Sequence, residues 1–222
     1  MLTLINRSAF VILILFVSLF AHAKDVKVSQ MLSNIAKKQS TPELKQEAIR
    51  LGKDRALLCN QCHGSDGNSK KADVPNLASQ NSEYLLEQIE KFANGSRKDY
   101  VMNALSKNFS NEDKVNLALF YANMQVKPVT TNTQMALQGK PLYVRQCSSC
   151  HGERGVGKEN FARLAGQQIM YVENTLRRFR GNGKDKNGDG ASKRRSVIME
   201  SVSKNLLDSE INALAAYIAQ LK

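Results

Sequence analysis

The sequence predicts an all-α protein made of two tandem helical domains, and three observations carry that expectation. First, the chain repeats itself. Gly52-Lys53 ahead of Cys59-Asn-Gln-Cys62-His63-Gly64 is echoed by Gly139-Lys140 ahead of Cys147-Ser-Ser-Cys150-His151-Gly152. Second, the echo continues downstream. Leu77-Ala-Ser-Gln80 matches Leu164-Ala-Gly-Gln167, Tyr84 matches Tyr171, Phe92 matches Phe179, and Ala118-Leu-Phe-Tyr121 resembles Ala215-Ala-Tyr217-Ile218. Third, apolar residues recur at helical spacing while strand-like alternation is weak.

Taken from the N-terminus, residues 1–23 read as a cleaved signal peptide. Arg7 supplies the positive start, Ala9 to Phe20 is an apolar run, and Ala21-His22-Ala23 fits the small-x-small cleavage pattern. That run is about a dozen residues, short of the roughly 20 that span a bilayer. The mature chain is therefore expected to be exported to the periplasm. Residues 24–50 form an N-terminal extension of one or two helices without a motif. Residues 51–126 form the first domain. In it a helix runs from Ser82 to Phe92 with Gly95 as a stop, and another opens at Ser110 and continues through Tyr121. Residues 127–138, with Pro128 and several β-branched and polar residues, read as an extended linker. Residues 139–222 form the second domain, with helices over Met170 to Phe179 and Asp208 to Leu221. Each domain has roughly 75–85 residues, near the lower limit for an independent core. A large apolar cofactor in each would enlarge that core.

Charge is uneven. Residues 52–126 hold nine Lys and Arg against nine Asp and Glu, whereas 127–222 hold sixteen against eight. A basic exported protein has little access to nucleic acid, so acidic partner proteins or an anionic membrane surface, contacted peripherally, are the expected counterparts. Arg177, Arg178, Arg180, Lys184, Lys186, Lys193, Arg194 and Arg195 concentrate this charge. They read either as a solvated face or as a docking surface for an acidic redox partner. Asp185 to Gly190 imitates the start of a calcium loop, but Ser196 stands where that loop needs a bidentate Glu, so a polar surface loop is expected.

The repeated C-x-x-C-H carries the chemistry. It is the attachment signature of c-type haem. Two thiols form thioethers with the vinyl groups on one porphyrin edge, and the following His reaches the iron as proximal ligand. A zinc site or a thioredoxin-like pair are the rival readings of one copy. Two copies, each opening a matching helical repeat, favour two haem c groups. Cys59 and Cys62 would attach one, and Cys147 and Cys150 the other. The chain has four Cys, all in the motifs, and three His, of which His22 lies in the signal peptide. His63 and His151 are thus the proximal ligands, and bis-His ligation within the chain is excluded. The sixth ligand is Met, a weaker donor, or vacant. Met102 and Met199 sit at matching places, each on an expected loop ahead of the last helix of its repeat. Met124 and Met170 read as packing, and Met31 and Met135 precede the motifs. Thioether ligation fills the iron and raises its potential, which favours an electron carrier over an enzyme.

These residues resemble the dihaem cytochrome c4 family, two class I cytochrome c domains in tandem, over roughly residues 50–222. The specific points are Cys59-x-x-Cys62-His63-Gly64, Pro75-Asn-Leu77-Ala, Tyr84-Leu-Leu, Arg97-Lys98 followed by Met102, and the second set ending at Met199. The resemblance implies an electron carrier serving respiratory oxidase or reductase complexes, with haems facing each other across the domain interface. Ala162 departs from the pattern where the first repeat has Pro75, a residue that in the family helps hold a carbonyl against the proximal His. The alternative is the dihaem cytochrome subunit of a larger dehydrogenase, such as a flavocytochrome that oxidises sulfur compounds. Residues 24–50 and the basic second domain would then be subunit contacts. A dihaem peroxidase would instead need an open iron site.

Overall fold

The computed structural model describes residues 27–181 and 194–222. Among them every regular element is a helix. The expected signal peptide and the loop from Lys184 through Lys193 lie outside the described residues. Helix α1 covers 27–39, followed by α2 (Pro42–Arg55), α3 (Asn60–His63), α4 (Ser82–Ala93), α5 (Tyr100–Ser106) and α6 (Asn111–Ala122). The second half repeats the plan with α7 (Thr133–Gln146), α8 (Ser148–His151), α9 (Ile169–Arg180), α10 (Val197–Ser203) and α11 (Asp208–Gln220).

Local chemistry sets the ends of these helices. Thr41 caps α2 by accepting from the Leu44 N–H, and Pro42 occupies the first turn, where its missing donor does no harm. Ser110 and Asp113 form a reciprocal capping box at α6, with bonds of 3.0 and 2.9 Å. Ser110 is the residue that the sequence marks as the start of that helix.

Each half is built on one close helix crossing, α2 on α6 and α7 on α11. A glycine sits at the same place in both. A Cβ on Gly52 would run into the Asn116 carbonyl and the Phe120 Cβ, and one on Gly139 into the Ala213 carbonyl and the Tyr217 Cβ. Around these crossings the first core gathers Leu86, Val115 and Leu119, and the second Tyr143, Ile211 and Leu214.

The N-terminal extension belongs to the first core. Val28, Met31, Leu32 and Ile35 follow helical spacing on α1, and Met31 and Ile35 are each 1% exposed. Lys27 reaches Glu90 of α4 at 3.5 Å, and Lys38 reaches Glu112 of α6 at 3.2 Å. Glu90 also accepts from the buried Lys114 at 2.5 Å. The described part of 24–50 therefore covers the chain's own first half.

The extended linker is shorter than the sequence suggests, because α7 begins at Thr133 rather than after 138. Asn132 caps it by accepting from the Met135 N–H at 2.9 Å, a local bond that lets the helix start early. The remaining stretch is tied to both halves. Lys127 N–H donates to Asn68 Oδ1 at 2.8 Å, and Val129 N–H donates to the Ala219 carbonyl at 3.0 Å.

The halves meet through a polar, buried seam with two-fold pseudo-symmetry. Gln80 Oε1 accepts from the Arg163 N–H at 2.6 Å, and its Nε2 donates to the Arg163 carbonyl at 2.9 Å. The equivalent Gln167 does the same to Asn76, accepting from its N–H at 2.7 Å and donating to its carbonyl at 3.0 Å. All four residues are buried. Each glutamine amide thus replaces a backbone partner for a peptide group of the other half, as burial demands. The preceding residue turns the chain through positive φ in both copies, 54° at Ser79 and 64° at Gly166. That conformation suits Gly and strains Ser.

Candidate haem-binding sites

The two attachment motifs fold alike. One turn of helix follows each first cysteine, closed by His63 N–H to the Cys59 carbonyl at 2.9 Å and His151 N–H to the Cys147 carbonyl at 3.0 Å. Gly64 and Gly152 end both turns at φ 80°, a region open to glycine. The turn puts two thiols and an imidazole on one short segment, the placement that attachment to one porphyrin edge requires.

Both imidazoles are oriented by a backbone carbonyl. His63 Nδ1 lies 2.9 Å from the Pro75 oxygen, and His151 Nδ1 lies 2.8 Å from the Ala162 oxygen. A carbonyl only accepts, so Nδ1 carries the proton and Nε2 keeps its lone pair. Burial lowers the pKa of both rings, against the opposing pull of the carbonyls. Each site thus presents a neutral imidazole with a free Nε2, the form that binds a metal. Ala162 supplies the same contact as Pro75, so the change of residue leaves this geometry intact.

The first thiol of each motif is not poised as a thiolate. Burial raises the pKa of Cys59, and it pushes Cys147 to about 11, with Cys150 adding to the effect. A reactive dithiol needs the opposite shift. Among the described residues no three His, Cys, Asp or Glu side chains gather into a metal-binding group, so the two Cys-Cys-His sets do not combine into a zinc site.

Met102 and Met199 fall in matching places, but not on loops. Each lies in the first turn of a short helix, α5 or α10. Asp99 caps the first by accepting from the Met102 N–H at 2.9 Å, and Ser196 caps the second from the Met199 N–H at 3.4 Å. The signal was an Asp or Ser three residues ahead of each Met, an ordinary N-cap pattern. Four residues further on, Ser106 and Ser203 are both 0% exposed, with hydroxyls that have no partner. Among the other methionines, Met31 is core and Met124 packs against the first core. Met135 and Met170 are 38% and 48% exposed, so Met170 does not pack as expected.

Sequence reasoning missed the polar cluster between the halves. Arg97 stacks over Phe92 at 4.3 Å, and Arg194 stacks over Phe179 at 4.8 Å. Neither guanidinium pairs with a carboxylate among the described residues, and burial together with Arg194 lowers the pKa of Arg97. Two half-buried cations that meet phenols but no carboxylate among the described residues, in the same halves as the neutral imidazoles and the buried, unpartnered hydroxyls, fit a group that carries carboxylates and a metal. Haem is such a group. The only foretaste in the sequence was Arg97 ahead of Met102.

The basic cluster of the second half is partly used inside the protein. Arg177 bonds to Glu173 and Asp208, both at 3.3 Å, and to Asn212 at 2.8 Å. Arg180 reaches Asp208 at 2.6 Å, and Arg194 lies at the seam. Arg195 remains well exposed.

Comparison with known proteins agrees with this geometry. The Cytochrome c family model matches residues 136–222. Cytochrome c4 of Pseudomonas aeruginosa is 31% identical over 180 residues, covering 77% of this chain and 87% of that protein. The chain belongs to the cytochrome c4 family. The crystal structure of reduced recombinant cytochrome c4 from Pseudomonas stutzeri superposes with a TM-score of 0.69 at 29% identity, covering 78% of this chain and 98% of that one. A protein of Thiomonas intermedia described as a thiosulfate dehydrogenase electron acceptor is 30% identical over 177 residues, covering 74% of this chain and 78% of that protein. As a cytochrome c4 relative, the protein is an all-helical, haem c-binding electron carrier. No helix among the described residues is long and apolar enough to cross a membrane.

Proposed function

We propose that the chain is a periplasmic carrier with two haem c groups, passing electrons between respiratory-chain proteins. Cys59 and Cys62 would hold one haem and Cys147 and Cys150 the other. His63 and Met102 would ligate the first iron, and His151 and Met199 the second. The observation that carries this reading is the duplicated imidazole–carbonyl pair at 2.9 and 2.8 Å, each next to its own two thiols. When bound, haem c supplies the one-electron chemistry. The chain's part is to fix the imidazole tautomer, exclude water with its two cores and hold both sites in one body through the Gln80 and Gln167 clamps. No side chain need move a proton.

Partners would approach the second half, where Arg195 stays exposed beside α10. An acidic donor or acceptor fits that charge, and association should slow as salt rises. The rival reading, a cytochrome subunit of a larger dehydrogenase, finds some support in the likeness to a thiosulfate dehydrogenase electron acceptor. In that reading α1, whose apolar face packs on the chain's own core, would offer only its outer face as a subunit contact.

Spectroelectrochemical titration of the purified holo-protein, together with its intact mass, tests the proposal. The expected result is two covalent haems per chain, a Met–ferric absorption band and one or two high-potential waves. A single haem, or no such band, would overturn it. Ala162 offers a further check. Replacing Ala162 with Pro should leave the second site's potential unchanged, because the carbonyl is already in place. By restricting the unfolded chain it should add up to about 1 kcal/mol of stability, read by thermal melting.

A further inference from the structure

We infer that the two halves hold each other's distal segments, with Tyr84 of the first half acting as a positioning residue for the segment that carries Met199 in the second. This rests on the ligand reading above and adds a cross-over to it.

The segments are built alike. Arg97 stands five residues before Met102, and Arg194 stands five before Met199. The Arg97 N–H donates to the Lys91 carbonyl at 2.9 Å, and the Arg194 N–H donates to the Arg178 carbonyl at 3.3 Å. Asn103 Oδ1 accepts from the Asp99 N–H at 2.7 Å, and Glu200 Oε1 accepts from the Ser196 N–H at 3.2 Å. Each arginine therefore begins a short, internally bonded piece of chain that ends on a methionine.

The guanidiniums then cross the seam. Arg97 Nη2 donates to Tyr171 OH at 3.1 Å, and Arg194 Nη2 donates to Tyr84 OH at 2.7 Å. Tyr84 and Tyr171 are the third residues of α4 and α9, so the two bonds are related by the same pseudo-two-fold as the Gln80 and Gln167 clamps. Gln88 Oε1 accepts from both arginines, at 2.8 Å from Arg97 and 3.2 Å from Arg194. Burial opposes ionisation of the Tyr171 phenol, but the two guanidiniums outweigh it and lower its pKa. Tyr84 bonds to Arg194 alone.

The crossing of these two bonds makes the inference testable. Tyr84 lies in the first half, yet its hydroxyl anchors the segment of the second. Losing the hydroxyl leaves the Arg194 guanidinium on Gln88 and over Phe179, and a fork held at one fewer point positions Met199 less firmly. Arg97 keeps its bonds to Tyr171 and Gln88. The effect of Tyr84→Phe should therefore appear at the haem of the other half.

The experiment titrates holo-protein of the full chain, using Met102→Ala and Met199→Ala to assign the two redox waves. Tyr84→Phe is expected to shift the midpoint of the wave assigned to Met199. It should also lower the pH at which that site's Met–ferric band is lost, while the Met102 wave stays in place. Arg194→Lys keeps the charge but loses the fork, and should reproduce the same selective shift. Tyr171→Phe, which takes the phenol from Arg97, should shift the Met102 wave. A shift confined to the Met102 wave, an equal shift of both, or none after Tyr84→Phe overturns the cross-over and leaves the ligand reading standing. A wild-type spectrum that Met199→Ala leaves unchanged overturns the ligand reading, and this inference with it.

Discussion

Met102→Ala and Met199→Ala should each lower the potential of one haem only, by a substantial part of the roughly 0.8 V that axial ligands command. A thioether favours ferrous iron, so its loss favours the ferric state. Among the described residues no other imidazole or thioether stands in reserve. His63 and His151 are already turned onto carbonyls within their own sites. Met31 is sealed in the first core, Met124 packs against it, and Met135 and Met170 are largely exposed. The vacated position passes to a weaker donor or stays open. Each variant should remove about half of the Met–ferric absorption, and the double variant all of it. Potentiometric titration followed in the visible bands reads both effects. Two variants that each keep the full band would remove these methionines from the ligand sphere.

The selectivity follows from the duplication of the sites. Each imidazole is set by a carbonyl of its own half, and each Met helix by a cap three residues earlier. The coupling enters further out, at the seam, where Arg97 and Arg194 meet tyrosines of the opposite half. The proposed iron ligands are local to each half, whereas the groups proposed to steady them are shared.

What the sequence revealed follows the same division. The repeated Cys-x-x-Cys-His turns, the four principal helices and the matching places of Met102 and Met199 rest on short-range patterns, and these were legible. The caps at Asp99 and Ser196 were equally local, and weighing them would have put both methionines on helices rather than loops. The early start of α7 was hidden because Asn132 reads as part of a polar linker until its bond to Met135 is seen. The place of α1 was illegible for another reason. Its apolar stripe shows that it must cover something, but only the fold shows that Glu90 and Glu112 receive Lys27 and Lys38. The seam is the extreme case. Gln80 and Arg163, or Tyr84 and Arg194, are far apart in the chain, and nothing in either neighbourhood names the partner. The basic cluster misled because charge counts cannot separate an exposed arginine from one bonded within the protein, as Arg177 and Arg180 are to Asp208.

Gly139→Val should destabilise the second half by about 3 kcal/mol, the upper end of what overpacking usually costs. The reason is geometric. At Gly139 the backbone of α7 lies against that of α11, and the atoms nearest an added Cβ are the Ala213 carbonyl and the Tyr217 Cβ. A flexible side chain could swing away, but a helix carbonyl cannot, so the two helices must part. Parting them opens the cluster of Tyr143, Ile211 and Leu214, all at most 1% exposed. Helix propensity pulls the other way, since Val is the better helix former of the two, but only by a few tenths of a kcal/mol. A domain holds about 5–15 kcal/mol in reserve, so the loss is a large share. Gly52→Val should act likewise on the first half, where the Asn116 carbonyl and Phe120 Cβ stand in the way. That half has α1 as an additional cover, so its melting temperature should fall less. Thermal melting followed in the haem absorption, with the two waves assigned as above, separates the halves. Equal losses in both variants would show that α1 adds nothing to the first core, and an unchanged melting temperature for Gly139→Val would rule out the close α7–α11 approach.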